Sequence, residues 1–106
     1  MTRYFTLDND DKVVEVDNRS AYMRWVDSWP ACLIAQTVIS ESPCVWVATI
    51  FLGVDDNTTG EGPPCPFETR AFSDGQILDR RNSATKADAI ACHDMVTARW
   101  AKKAAE

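Results

Sequence analysis

The chain is poor in the residues from which active sites are usually built. It holds one histidine, His93, in 106 residues, so only one side chain has an ordinary pKa suited to general-base work near neutral pH. Its four cysteines, Cys32, Cys44, Cys65 and Cys92, contain no C-x-x-C pair. Cys92 and His93 are adjacent, which on a helix sets them about 100° apart. No zinc signature results, and no metal or cofactor is expected. Glycine is scarce too: Gly53, Gly60 and Gly62 are followed by no G-K-[ST] step and no helix start, which excludes a phosphate loop. No apolar run approaches the roughly 20 residues that span a bilayer. Met1–Thr6 is followed by the acidic Asp8-Asn9-Asp10-Asp11 rather than by a secretory apolar region. The expectation is a cytoplasmic protein without a membrane partner. There the four cysteines would be free thiols; two disulfides in an exported protein are the alternative.

Basic residues are outnumbered, 11 against 16 acids, for a net charge of −5. The imbalance is uneven. Residues 1–68 carry eleven acids against four bases, and residues 69–106 carry five against seven. An acidic exterior repels phosphate backbones, so direct nucleic-acid binding is disfavoured and a basic protein surface is attracted instead. The same charge also serves simply to keep a small protein soluble. Hydrophobic residues make up 45%, with four tryptophans and four phenylalanines, enough for one core in a single domain, residues 1–106.

The pattern predicts the order β-β-α-β-β-β-β-α. Arg3–Leu7 and Lys12–Val16 read as a hairpin around the acidic turn. Lys12 stands where a calcium loop needs a ligand, so that turn is not an EF-hand. Asp17-Asn18 offers an N-cap, and Ala21, Tyr22, Trp25, Val26 and Trp29 form one apolar stripe, ended by Pro30. Cys32–Ile39 and Val45–Val54 are apolar runs joined by Ser40-Glu41-Ser42-Pro43. The second is rich in β-branched and aromatic residues and apolar on both faces, as in a central strand with both faces covered or one face used in association. A long acidic, Gly/Pro-rich connection follows, from Asp55 to Pro64, and connections of that length are often functional. Phe67–Phe72 and Ile77–Arg81 flank the tight turn Ser73-Asp74-Gly75. Thr85 with Asp88 resembles a capping box, opening a helix on which Ala89, Cys92, His93, Val96 and Trp100 share one face. The fold class is α+β: a single, mainly antiparallel sheet of about five to six strands with two helices packed on one face.

Several groups are candidates for function, each beside a plainer reading. Asp55, Asp56 and Glu61 would meet a basic partner, or else merely solvate their loop. Trp25 and Trp29 would anchor a partner, or else pack their helix on the sheet. Arg70, Arg80 and Arg81 would hold a small anion such as a nucleotide, while Arg80-Arg81 equally suits an exposed edge where charge blocks strand addition. His93 would need Cys92, Glu68 or Asp79 beside it to act chemically; a histidine on an apolar stripe is more often bonded to a backbone carbonyl. No catalytic residue is assigned, and self-association is expected through Val45–Val54 or the tryptophan helix.

The run Val47-Ala48-Thr49-Ile50-Phe51-Leu52-Gly53-Val54-Asp55, then Gly62-Pro63-Pro64, Phe67-Glu68-Thr69-Arg70-Ala71-Phe72, and Thr85 before a helix bearing His93, resembles a family of small phage- and prophage-encoded proteins of unknown function. The pattern covers roughly residues 45–100. Such relatives often carry a histidine after the glycine-x-aspartate step, where this chain has Asp56. The resemblance implies an accessory protein acting inside a bacterial cell. The expected function is non-enzymatic binding that inhibits a host defence complex with a basic surface, as an anti-CRISPR protein does. The alternatives are an oligomer, such as a homodimer, that sequesters a small anion or nucleotide, and a self-associating protein of unknown function.

Overall fold

The computed structural model describes residues 3–8, 10–28, 32–54 and 64–105. The elements are β1 (Tyr4–Leu7), β2 (Val13–Val16), α1 (Arg19–Ser28), β3 (Leu33–Glu41), β4 (Cys44–Phe51), β5 (Phe67–Ser73), β6 (Gln76–Ser83) and α2 (Lys86–Ala104).

Local signals set the turns and caps. Asp8 Oδ1 accepts from the amides of Asp10 and Lys12 at 2.8 and 2.9 Å, so its carboxylate is spent on the β1–β2 turn. Asn18 Oδ1 accepts from Ala21 N at 2.8 Å and caps α1. Asp74 and Gly75 both have positive φ, 49° and 82°, matching the two-residue hairpin turn that the strand twist favours. Thr85 caps α2 by accepting from Asp88 N at 3.1 Å, and Lys102 and Lys103 sit in the last turn, where the helix dipole favours cations. The helix is the longest element, and no helix among the described residues is long and apolar enough to cross a membrane.

The strands do not make one sheet. β1 and β2 pair only with each other, whereas β3-β4-β5-β6 form a four-stranded antiparallel meander. The expected single sheet of five to six strands is therefore corrected to two sheets. The physical reason lies at Gly53: the chain leaves β4 there with φ of 71°, so β1 meets it through an isolated bridge, Tyr4 to Val54, and one bond from Phe5 N to Gly53 O of 2.7 Å. The two helices are not stacked alike on one sheet: α2 crosses all four strands of the larger sheet, while the backbone of α1 lies against β1 and β2 and its side chains reach the end of the larger sheet, where Trp25 packs on Phe51 and the Tyr22 hydroxyl donates to the Leu52 carbonyl.

The hydrophobic core joins both sheets. Phe5 and Leu7 of the hairpin pack with Phe51, Phe67 and Ala89, while Val47, Ala71 and Val96 form a second cluster under α2. Trp25 packs edge-on against Phe51 with centroids 5.5 Å apart, so packing accounts for it. Burying aromatic rings contributes more per residue than any other side chain here. No disulfide joins any of the four cysteines.

Candidate functional site

The register of β4 and β5 sorts their side chains onto two faces. Val47, Thr49 and Phe51 lie opposite Ala71, Thr69 and Phe67 and face α2. Trp46, Ala48 and Ile50 lie opposite Phe72, Arg70 and Glu68 on the other face. No described element packs over that second face.

His93 reaches the α2-facing side and is sealed there, 3% exposed. Its Nε2 lies 2.9 Å from Thr37 Oγ1 and its Nδ1 2.9 Å from Thr49 Oγ1, which is 2.7 Å from Thr69 Oγ1. Threonine hydroxyls can donate or accept, so a neutral imidazole in either tautomer is satisfied. Burial pushes the His93 pKa below its ordinary value of 6.5, opposed by the nearby Asp94 carboxylate. The expected backbone-carbonyl partner is corrected to two hydroxyls, from Thr37 of β3 and Thr49 of β4, with Thr69 of β5 backing Thr49. Sequence could not reveal this, because Thr37, Thr49 and Thr69 are ordinary strand formers until the register aligns them. Its two hydrogen bonds run to strand threonines and none to Cys92, Glu68 or Asp79, so the imidazole ties α2 to the sheet. Among the described residues no cluster of three His, Cys, Asp or Glu is placed to hold a metal.

The uncovered face has a different chemistry. Trp46 and Phe72 stack with centroids 4.3 Å apart and planes 17° off parallel. With Leu33, Gln36, Ile50 and Arg70 they line a shallow groove of about 320 Å³. Val38 lies beside Trp46 at 59% exposure, and Ile77 beside Phe72 at 51%. At the flank, the fully buried Glu68 carboxylate pairs with Arg70 and also with Arg80, whose Nε and Nη2 lie 3.1 and 3.3 Å from its oxygens. Two guanidiniums thus share one buried carboxylate.

The structure thus brings two of the three candidate arginines together. Arg70 and Arg80 are cross-strand partners, whereas Arg81 pairs with Thr69 in register, on the α2 side, and its Nε is 3.5 Å from Asp79 Oδ1. Asp79 also lies 3.9 Å from Arg99 and accepts from Trp100 Nε1 at 3.4 Å, pinning β6 to α2. Asp55, Asp56, Glu61 and Trp29 lie outside the described residues. A second, more open cavity of about 590 Å³ separates the β1–β2 turn from the start of α2. Its charges answer one another, with Lys86 Nζ 2.8 Å from Asp11 Oδ2.

Sequence reading missed Trp46 and Phe72 as surface residues. Trp46 lies in a strand that is apolar on both faces, a pattern that fits a covered face as well as an open one, and Phe72 ends a strand whose same face carries Glu68 and Arg70. Comparison with known protein families, with curated proteins and with solved structures gives no match, so the functional reading rests on the site itself.

Proposed function

We propose that this chain is a non-enzymatic binding protein that docks a protein partner on the uncovered face of its four-stranded sheet. The observation that carries the reading is the Trp46–Phe72 stack on a face over which no described element packs. Exposed apolar patches of this kind mark interaction sites, and buried aromatic anchors dominate their energetics. The sealed histidine supports the non-enzymatic part of the reading. The context proposed with it is that of the family pattern: a phage or prophage accessory protein acting in the bacterial cytoplasm on a host complex, of which a defence complex is the concrete candidate. A basic host surface suits the eleven acids against four bases of residues 1–68; that charge would speed encounter while the aromatic groove holds the contact.

The test begins with affinity capture from a bacterial lysate and continues with the purified partner. Trp46→Ala is expected to weaken its binding about thirty-fold, as for a hot spot of about 2 kcal/mol, with the circular dichroism spectrum unchanged. Equal affinity of folded wild type and Trp46→Ala refutes the proposed face.

A second reading is favoured by the convergence of Arg70 and Arg80 beside the aromatic stack. On it, the face takes a nucleotide, with the base on the rings and the phosphate at the guanidiniums. A rise in melting temperature that grows with nucleotide concentration, and is lost in Arg70→Gln, supports this reading over protein docking.

A further inference from the structure

We propose that β3 is a pairing edge for a second copy of this chain, giving an antiparallel β3–β3 contact and one sheet continuous across two molecules. The two edges of the meander differ in a way that packing within one chain does not explain. β6 carries Asp79, Arg80 and Arg81 within its eight residues, the charge that natural proteins place on an edge to block strand addition. β3, at nine residues the longest strand, carries none from Leu33 to Ser40, and no proline. Among the described elements β3 touches β4 at its side and α2 on one face, and nothing lies along its outer side.

The occupant follows from symmetry. A two-fold antiparallel pair sets a central residue opposite its own copy, so any charge there would meet its like. The centre of β3 is Ala35-Gln36-Thr37-Val38, all neutral. This is also the stretch whose register with β4 is unbroken, the irregularities falling between Leu33 and Ala35 and between Val38 and Ser40. A two-fold at Gln36 sets the exposed Val38 and Leu33, at 59% and 44%, opposite Ile34 and Ile39 of the second copy, apolar against apolar, and brings the two aromatic grooves side by side on one face. Glu41, the only charge in the strand, falls beyond the partner's centre, away from the other Glu41. The strand Val45–Val54, expected from sequence to mediate association, is not an edge: its Cys44–Phe51 core is paired on both sides. The contact does not depend on the function proposed above.

Sedimentation velocity with the whole chain tests the proposal, alongside hydrogen exchange at low and high protein concentration. A dimer is expected at about 0.1 mM, tightening as salt screens the net charge of −5 on each copy, with amides of Ala35–Val38 gaining protection on dimerisation. Gln36→Lys, at an exposed position, is expected to weaken the dimer about ten-fold or more by opposing like charges; Val38→Lys serves as a second variant at the same edge. Ile77→Lys, on the same face but at the other edge, is expected to leave it within about two-fold. A monomer at that concentration overturns the proposal. So does a dimer indifferent to both β3 variants, or one broken by Ile77→Lys without protection of the β3 amides, which would mean face-to-face packing.

Discussion

Replacing Gly53 by alanine adds one carbon at the place where the hairpin, α1 and the large sheet meet. Two costs add there. The backbone sits at φ of +71°, a left-handed conformation that costs an L-residue about 1 kcal/mol relative to glycine. The new Cβ would also lie 2.4 Å from Tyr22 Cε1 and 2.8 Å from the Phe5 carbonyl oxygen. Neither neighbour yields easily. The Tyr22 hydroxyl donates to the Leu52 carbonyl at 2.5 Å and its ring packs on Tyr4 at 5.2 Å. The Phe5 oxygen is backbone, and the amide of the same residue is bonded to Gly53 O. Overpacking of this kind costs about 1–3 kcal/mol, so the expected loss is about 2–4 kcal/mol, a large share of a small domain's stability. Urea unfolding followed by tryptophan fluorescence and circular dichroism measures it, provided the m-value is unchanged. Gly75→Ala is the control: φ is +82° but nothing lies within 4 Å of the added carbon, so only the conformational cost of about 1 kcal/mol applies. Equal losses at the two positions, or a loss below about 1 kcal/mol at Gly53, would refute the steric reasoning.

The buried hydroxyl–imidazole network yields two more expectations. Burial holds the His93 pKa below 6.5, so the unfolded chain binds the extra proton first as pH falls. The contribution of neutral His93 is complete above about pH 6.5 and declines as pH drops toward the lowered value; His93→Gln is expected to remove that part of the slope in melts run between pH 8 and 5. Thr49→Val keeps the shape of the side chain but deprives His93 Nδ1 and the Thr69 hydroxyl of their shared partner, and is expected to cost about 1–3 kcal/mol by urea unfolding.

Local chemistry made much of the chain legible. The Asp74-Gly75 turn, the Asn18 and Thr85 caps and the apolar stripe from Ala89 to Trp100 are each written within a few neighbouring residues, and all the elements occur in the predicted order. The candidate site was far less legible. Arg70, Arg80 and Arg81 look alike in sequence, but the register between β5 and β6 sends Arg80 to Glu68 and Arg81 toward Asp79. Trp46 and Trp25 likewise look interchangeable, yet one stacks on an open face and the other packs against Phe51. The acids expected to meet a partner, Asp55, Asp56 and Glu61, lie outside the described residues.

By itself the sequence determined the type and order of the strands and helices, because turns, caps and apolar periodicity act over a few residues. Only the tertiary structure decided that the strands divide into two sheets, that His93 is enclosed by threonines and that no described element covers one face of the larger sheet. Those outcomes depend on which distant segments pair and in what register, and a shift of a single residue would exchange one face of a strand for the other.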